Sequence, residues 1–296
     1  MSSRTFVAAA LVAALSLGVA GALERHADTA AGSTVDATAS TVAAAQRAYA
    51  TTTTTAEAQL DTGALEAIDT DARFSVAVLD VESGETLTYG GGTFDTAAGG
   101  GTFDTAAGGG TFDTASIVKV DILAALLTAQ DGELTSTQQQ LAAAMIERSD
   151  NAAATALFEQ VGGVQGLTAY DATIGLNDTE VAAAWGLTQT TASDQLLVLQ
   201  AALAFDTARD LMGRVVDTQR FGVSAAADDP ADAVLKVGYL QRSATGLWDV
   251  TSIGEIVVGG RTYLVAVLSD GNATLEDGTT LVDAVARAAL TSGTAT

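Results

Sequence analysis

The sequence predicts an α+β fold in which a sheet built from both ends of the globular body carries an inserted all-helical lobe. Three observations lead there. Strand-like segments stand near residues 73–89 and again over residues 233–268. The long stretch between them has helical character. Of the 296 residues, the first sixty or so differ in composition from the rest, leaving roughly 235 for a body large enough for one large domain or two interleaved lobes.

Taken in order, the chain begins with a targeting pattern. Arg4 precedes an apolar run from Phe6 to Leu23, and Ala20-Gly21-Ala22 offers small residues to a signal peptidase. Residues 1–27 therefore read as a signal peptide or, uncleaved, as a membrane anchor, since about 18 apolar residues is the lower limit for a span. The expectation is an exported protein, extracellular or attached to the outer face of the cytoplasmic membrane. Residues 28–58, rich in Ala and Thr and including the run Thr51 to Thr55, hold too few large apolar groups to fold and read as a solvated linker. The folded domain is expected over residues 59–296.

Within it, Phe74, Val76 and Val78 face one way over Arg73 to Asp80, and Ser83-Gly84-Glu85 turns the chain into Thr86 to Tyr89, a hairpin. Helical segments are expected at Lys119 to Gln130, Gln138 to Glu147, Asn151 to Gln160 and Ala192 to Ala204. Strands follow at Ala233 to Tyr239, Trp248 to Val258 and Tyr263 to Leu268. The last is apolar on both faces and must be covered on both. A helix from Leu281 to Leu290 closes the chain, and the cleft between sheet and helical lobe is the natural place for a site.

One segment stands apart. Residues 90–98, 99–107 and 108–116 are three tandem copies of Gly-Gly-Gly-Thr-Phe-Asp-Thr-Ala-X, with X being Ala98, Ala107 and Ser116. Calcium-binding rolls use nine-residue Gly and Asp units. Here Thr93, Thr102 and Thr111 replace their fourth-place glycine, and three copies make a poor solenoid. The better account is a tandem insertion over residues 90–107, with only the third copy in the position that the fold requires.

Composition excludes several functions. A net charge of -23 and a pI near 4.1 argue against a nucleic-acid partner, which is held by Lys and Arg clusters. No cysteine is present, which removes disulfides, thiolate metal sites and a cysteine nucleophile. The single histidine, His26, lies beside the leader, so a Ser-His-Asp triad or a histidine metal site in the body is impossible. No metal and no cofactor is expected, and the protein is expected to be a monomer.

Any nucleophile must then use another base. Ser116-Ile117-Val118-Lys119 opens a helix, and a spacing of three puts hydroxyl and amine on one helical face. Free amides and the positive dipole end at a helix N-terminus favour a developing oxyanion. An N-cap serine with a surface lysine is the ordinary alternative. With 2 lysines and 16 serines in the chain, chance gives about 0.1 such pairs. Ser149-Asp150-Asn151 sits where one helix ends and another begins; beyond its ordinary reading as a cap, chance gives about 0.01 occurrences. The second lysine stands in Lys236-Val237-Gly238 on a strand, a pattern weak alone that gains weight from its order after the other two.

Ser-x-x-Lys, then Ser-Asp-Asn, then Lys-x-Gly resembles the motif set of class A β-lactamases and penicillin-binding serine hydrolases, over roughly Arg73 to Leu290. The resemblance implies a β-lactamase/transpeptidase-like fold, a five-stranded antiparallel sheet flanked by helices plus a helical lobe. It implies that Ser116 attacks a β-lactam or a peptidoglycan-derived D-alanyl peptide and forms an acyl-enzyme. Lys119 is then the base, directly or through Ser149, kept partly neutral by burial and by Lys236. Asn151 holds the substrate amide. Lys236 attracts the substrate carboxylate and assists the leaving nitrogen through Ser149. The backbone amides of Ser116 and Tyr239, the latter following Gly238, form the oxyanion hole.

The chain departs from that pattern twice. Class A enzymes carry a loop Glu that activates the deacylating water. Ile174 to Val181 resembles the start of that loop and Leu187 to Thr191 its exit, but the intervening stretch is short, no Glu sits where the pattern places one, and Glu180 is the one Glu between Gln160 and the Thr190-Thr191 exit. Val237 also replaces the hydroxyl residue of Lys-Thr-Gly, removing a hydrogen bond to the substrate carboxylate worth about 1.5 to 3 kcal/mol. Slow turnover, or action on another amide or ester, is the expectation. A non-catalytic envelope protein that binds a cell-wall peptide is the alternative, against which stands the retention of Ser116 and Lys119 together.

Overall fold

The computed structural model describes residues 62–91 and 110–293. The leader, the linker and most of the first two repeat copies lie outside the described residues. Strands β1 (Arg73–Asp80), β2 (Thr86–Gly91), β5 (Val234–Gln241), β6 (Trp248–Val258) and β7 (Arg261–Asn272) form one sheet in the order β2-β1-β7-β6-β5. Every neighbouring pair in it is antiparallel. This is the β-lactamase/transpeptidase-like architecture expected, with two strands from the N-terminal side and three from the C-terminal side.

The sheet is covered on both faces. Helix α6 (Ala192–Ala202) and helix α8 (Leu275–Gly293) both pack on β1, β6 and β7, and Leu264 to Leu268 are buried without exception. The two-sided apolar pattern of β7 is thus accounted for. In β1 all residues from Phe74 to Leu79 are buried; beside Phe74, Val76 and Val78 on one face, Ala77 and Leu79 are apolar enough to serve on the second covered face. In α8 the buried residues Leu281, Val282, Val285, Ala286, Ala289 and Leu290 repeat at the spacing of a single helical stripe. The four-residue helix α1 (Gly63–Glu66), which carries the buried Leu65, packs on α8.

The helical lobe holds α2 (Val118–Ala129), α3 (Ser136–Glu147), α4 (Asn151–Gln160), α5 (Gly163–Ile174) and α7 (Asp206–Gly213). Ten consecutive residues of α2, Val118 to Leu127, are buried, so this helix runs through the interior and has no solvent face. Helix α3 starts on a capping box, with the Thr135 hydroxyl accepting from the Gln138 amide. Helices α5 and α7 were not anticipated. The glycines at the start of α5 hide its period from a sequence reading, but Gly166 is required there: a Cβ on it would lie 1.8 Å from the Val161 carbonyl oxygen.

The third repeat copy takes up structural duty. Phe112 and Asp113 form the short strand β3 (Phe112–Asp113), paired with β4 (Gln189–Thr190). Arg73 stacks 4.2 Å above the Phe112 ring, and Asp113 bonds Arg242 and Gln189. Residues 90–107 duplicate sequence that residues 108–116 already supply. A deletion of residues 90–107 leaves Tyr89 followed by Gly-Gly-Gly-Thr-Phe-Asp-Thr-Ala-Ser, and it is expected to fold with a melting temperature within a few degrees of the parent. A collapsed far-ultraviolet spectrum would show instead that the extra copies are structural.

Under the lobe, Asp121 of α2, Asp171 of α5 and Asp194 of α6 are all buried. Asp194 accepts from the Asp178 amide at 3.0 Å and the Thr179 hydroxyl at 2.7 Å. Asp121 Oδ1 and both Asp171 oxygens have no donor, and a proton shared between the two carboxyls satisfies one oxygen of each. Burial, and then the neighbouring carboxylates, raise Asp121 well above the usual carboxylate range; burial first raises Asp171 to about 7. A carboxyl raised in the folded state binds protons that the unfolded chain has already released, so stability falls as pH rises from about 4 to 7. Asp121→Asn is expected to flatten that fall and to stabilise the protein at pH 7 relative to the parent. Urea unfolding at pH 5 and 7 measures it, and equal slopes in parent and variant refute it. Among the described residues no helix is long and apolar enough to cross a membrane.

Candidate active site

The turn Ala115–Ile117 precedes α2 and carries Ser116. Ala115, just before it, is held at φ 47, in the left-handed region that costs a non-glycine residue about 1 to 3 kcal/mol. Such strain persists only where surrounding structure imposes it, and here Gly238 presses on this turn. A Cβ at Gly238 would stand 2.5 Å from the Ser116 nitrogen and 2.9 Å from the Thr114 carbonyl oxygen. Only a glycine lets strand β5 approach the turn this closely, which is the physical reason for the last residue of Lys-x-Gly.

One helical turn on, Lys119 reaches back. Its Nζ lies 2.9 Å from Ser116 Oγ, 3.0 Å from Ser149 Oγ, 2.8 Å from the Ser149 carbonyl oxygen and 2.7 Å from Asn151 Oδ1. Ser149 sits between α3 and α4 with φ 58. Asp150 caps α4, accepting from the Ala153 amide at 2.7 Å, and so fixes the corner from which Ser149 and Asn151 project. From β5, Lys236 Nζ donates to Gln219 Oε1 at 3.2 Å and to the Val237 carbonyl at 2.9 Å, and lies 3.1 Å from Ser149 Oγ. The Ser149 hydroxyl is therefore shared by the chain's two lysines. All of Ser116, Lys119, Ser149, Asn151 and Lys236 are brought into one hydrogen-bonded group, with Gly238 against it.

Both lysines are fully buried, and burial lowers both. Lys119 falls to about 8, although the Asp150 carboxylate holds it up in part, and Lys236 falls to about 7, the Lys119 charge adding to burial. Two ammonium groups flanking one hydroxyl repel, so near neutrality the pair favours a single charge. Hydrogen-bond geometry indicates where a lone pair is useful. An ammonium has three hydrogens, and Lys236 has three oxygen partners. Lys119 has four, of which the Ser149 carbonyl and Asn151 Oδ1 can only accept. Lys236 is the lower of the two lysines and gives up its proton first; once Lys119 has also released its own, it donates to those two acceptors and accepts from the Ser116 hydroxyl.

Ser116 opens onto a cleft of about 540 Å³, lined also by Asn151, Phe158, Glu159, Trp185 and Tyr239. Tyr239 is exposed and its backbone follows Gly238 directly. Val237 does not line the cleft: it is 1% exposed and packs in the core. Glu180 is exposed and its backbone bridges Gln189, and it too lies outside the cleft lining. The loop residue that faces the lysine is Trp185, whose ring centre is 4.9 Å from Lys119 Nζ and whose Nε1 donates to Thr155 Oγ1 at 3.2 Å. Sequence reasoning missed Trp185, Gln219 and Thr251, whose hydroxyl donates to the Thr114 carbonyl at 3.1 Å. No motif marks them; they arrive from distant segments.

Comparison with known proteins agrees with this fold. Several solved structures share the fold: a class A β-lactamase from Bacteroides cellulosilyticus DSM 14838 at 18% identity, covering 80% of this chain and 96% of its own, with a TM-score of 0.59; PBP-A at 18% identity, 78% and 94% coverage and a TM-score of 0.60; and an ancestral class A β-lactamase at 19% identity, 75% and 95% coverage and a TM-score of 0.56. Among curated proteins no match was found. The model of the "Beta-lactamase enzyme family" matches residues 130–292, a span that holds Ser149, Asn151, Lys236 and Gly238. With more than half of its length matched by that model, the chain belongs to the β-lactamase enzyme family.

Proposed function

We propose that this protein is a serine hydrolase in which Ser116 forms an acyl-enzyme with β-lactams or D-alanyl peptides and releases it slowly. The observation that supports this most directly is the approach of Lys119 Nζ to Ser116 Oγ, 2.9 Å, from a buried lysine held down to about 8. Lys119 takes the hydroxyl proton as Oγ attacks the substrate carbonyl. The backbone N–H groups of Ser116 and Tyr239 receive the oxyanion, beside the dipole end of α2. As the carbon–nitrogen bond breaks, Ser149 passes its proton to the leaving nitrogen and is reprotonated from the lysine pair that flanks it. Asn151 serves two partners, its Oδ1 on Lys119 and its amide nitrogen for the substrate.

Hydrolysis of the resulting ester needs an activated water. Glu159 is the one carboxylate in the cleft lining, and it sits two helical turns beyond Asn151, far from the ester. Slow deacylation follows from that arrangement. The reading also makes the protein a monomer acting outside the cytoplasm, secreted or tethered through residues 1–27. The test is intact mass of residues 57–296 after incubation with a fluorescent penicillin, beside Ser116→Ala. An adduct dependent on Ser116 and lasting minutes or longer is the expected result. Folded protein that forms no adduct would remove β-lactams from consideration and move the search to other amides and esters.

A further inference from the structure

The proposed reaction accounts for the end of the cleft at Ser116 but not for the other end. Asn151, Thr155 and Glu159 follow one another at four-residue spacing along α4, and all three line the cleft. Between them and the opposite wall the lining is apolar, with Phe158, Trp185, Leu187 and Leu240. Glu159, an exposed residue, is the only charged side chain in the cleft lining. It has no ion-pair partner among the described residues. Eight residues of helix separate it from Asn151, about 12 Å.

We propose that this cleft holds a subsite for an acyl donor whose side chain is an aliphatic stem ending in an ammonium group that pairs with Glu159, about 12 Å along α4 from Asn151. An apolar channel accepts the methylene stem, as lysine stems lie along apolar surface, and the terminal carboxylate pairs with the cation. Charge elsewhere acts in the same sense. No arginine lines the cleft, both lysines of the site are fully buried behind the serines, and the chain's net charge of -23 repels anionic donors. The inference rests on the acyl-enzyme reading for the position of the reacting carbonyl.

The experiment compares three donors of equal length, with aminoalkyl, alkyl and carboxyalkyl side chains on a common penicillin nucleus, in the parent, Glu159→Gln and Glu159→Lys. The expected order in the parent is amino, alkyl, carboxy. Glu159→Gln is expected to lower kcat/KM for the amino donor about fivefold through KM, leaving the alkyl donor unchanged. Glu159→Lys reverses the order, and added salt narrows it. Equal rates for the three donors, or a preference that survives Glu159→Gln, overturn the subsite. Equilibrium binding of the same donors to Ser116→Ala separates the two ideas. An amino preference in binding with no acylation in the parent sustains the subsite and refutes the acyl-enzyme reading, while acylation without preference does the opposite.

Discussion

Lys119→Met lowers the rate of Ser116 acylation about 10³-fold, the scale of a lost general base, while leaving the fold intact. Methionine matches the unbranched stem of lysine and is at home in a buried site. It removes the amine that meets Ser116 Oγ, Ser149 Oγ and Asn151 Oδ1. The pH profile distinguishes a base from a structural lysine. In the parent, acylation rises with pH as Lys119 gives up its proton, with a midpoint near 8; in the variant that limb disappears. Lys236 responds too. Its ammonium is lowered partly by the charge on Lys119, so it rises when that charge is gone. Stopped-flow acylation between pH 6 and 9 reads both effects, and a variant within threefold of the parent rate places the base elsewhere.

Gly238→Ala is expected to abolish acylation by a different route, with a loss of at least about 10²-fold from damage to the oxyanion site. The added methyl meets Ser116 N at 2.5 Å, Thr251 Oγ1 at 2.6 Å and Thr114 O at 2.9 Å. Two of these three are backbone atoms that cannot withdraw without moving the nucleophile turn. Overpacking of this kind costs about 1 to 3 kcal/mol in stability, so the variant is also expected to melt at lower temperature. Adding Thr251→Ala removes the side-chain clash and leaves the backbone ones. The double variant is therefore expected to stay inactive, and recovery of acylation in it would show that the turn tolerates displacement.

Much of this protein was legible in its sequence because the informative residues carry their own geometry. Ser116 and Lys119 share a face by helical spacing alone, and Ser149-Asp150-Asn151 marks a helix junction by its capping chemistry, which Asp150 fulfils. Both lysines of the chain stand in the motifs, and a cation without exposed surface to occupy usually has a partner to meet. The strands and their division between the two ends followed from alternation and from the two-faced apolar run of β7. Helix α5 escaped because its glycines serve close packing at Val161 and break the local pattern.

Sequence by itself determined the fold class, the motif residues and the exclusion of histidine and thiol chemistry, since these depend on residue type and local period. Tertiary structure alone decided that Trp185 faces Lys119, that Val237 is core, that Glu159 lines the cleft, and that Asp121 meets Asp171. Each of these joins segments tens of residues apart, and which side chains meet there is fixed by how helices and sheet pack, which no spacing along the chain encodes.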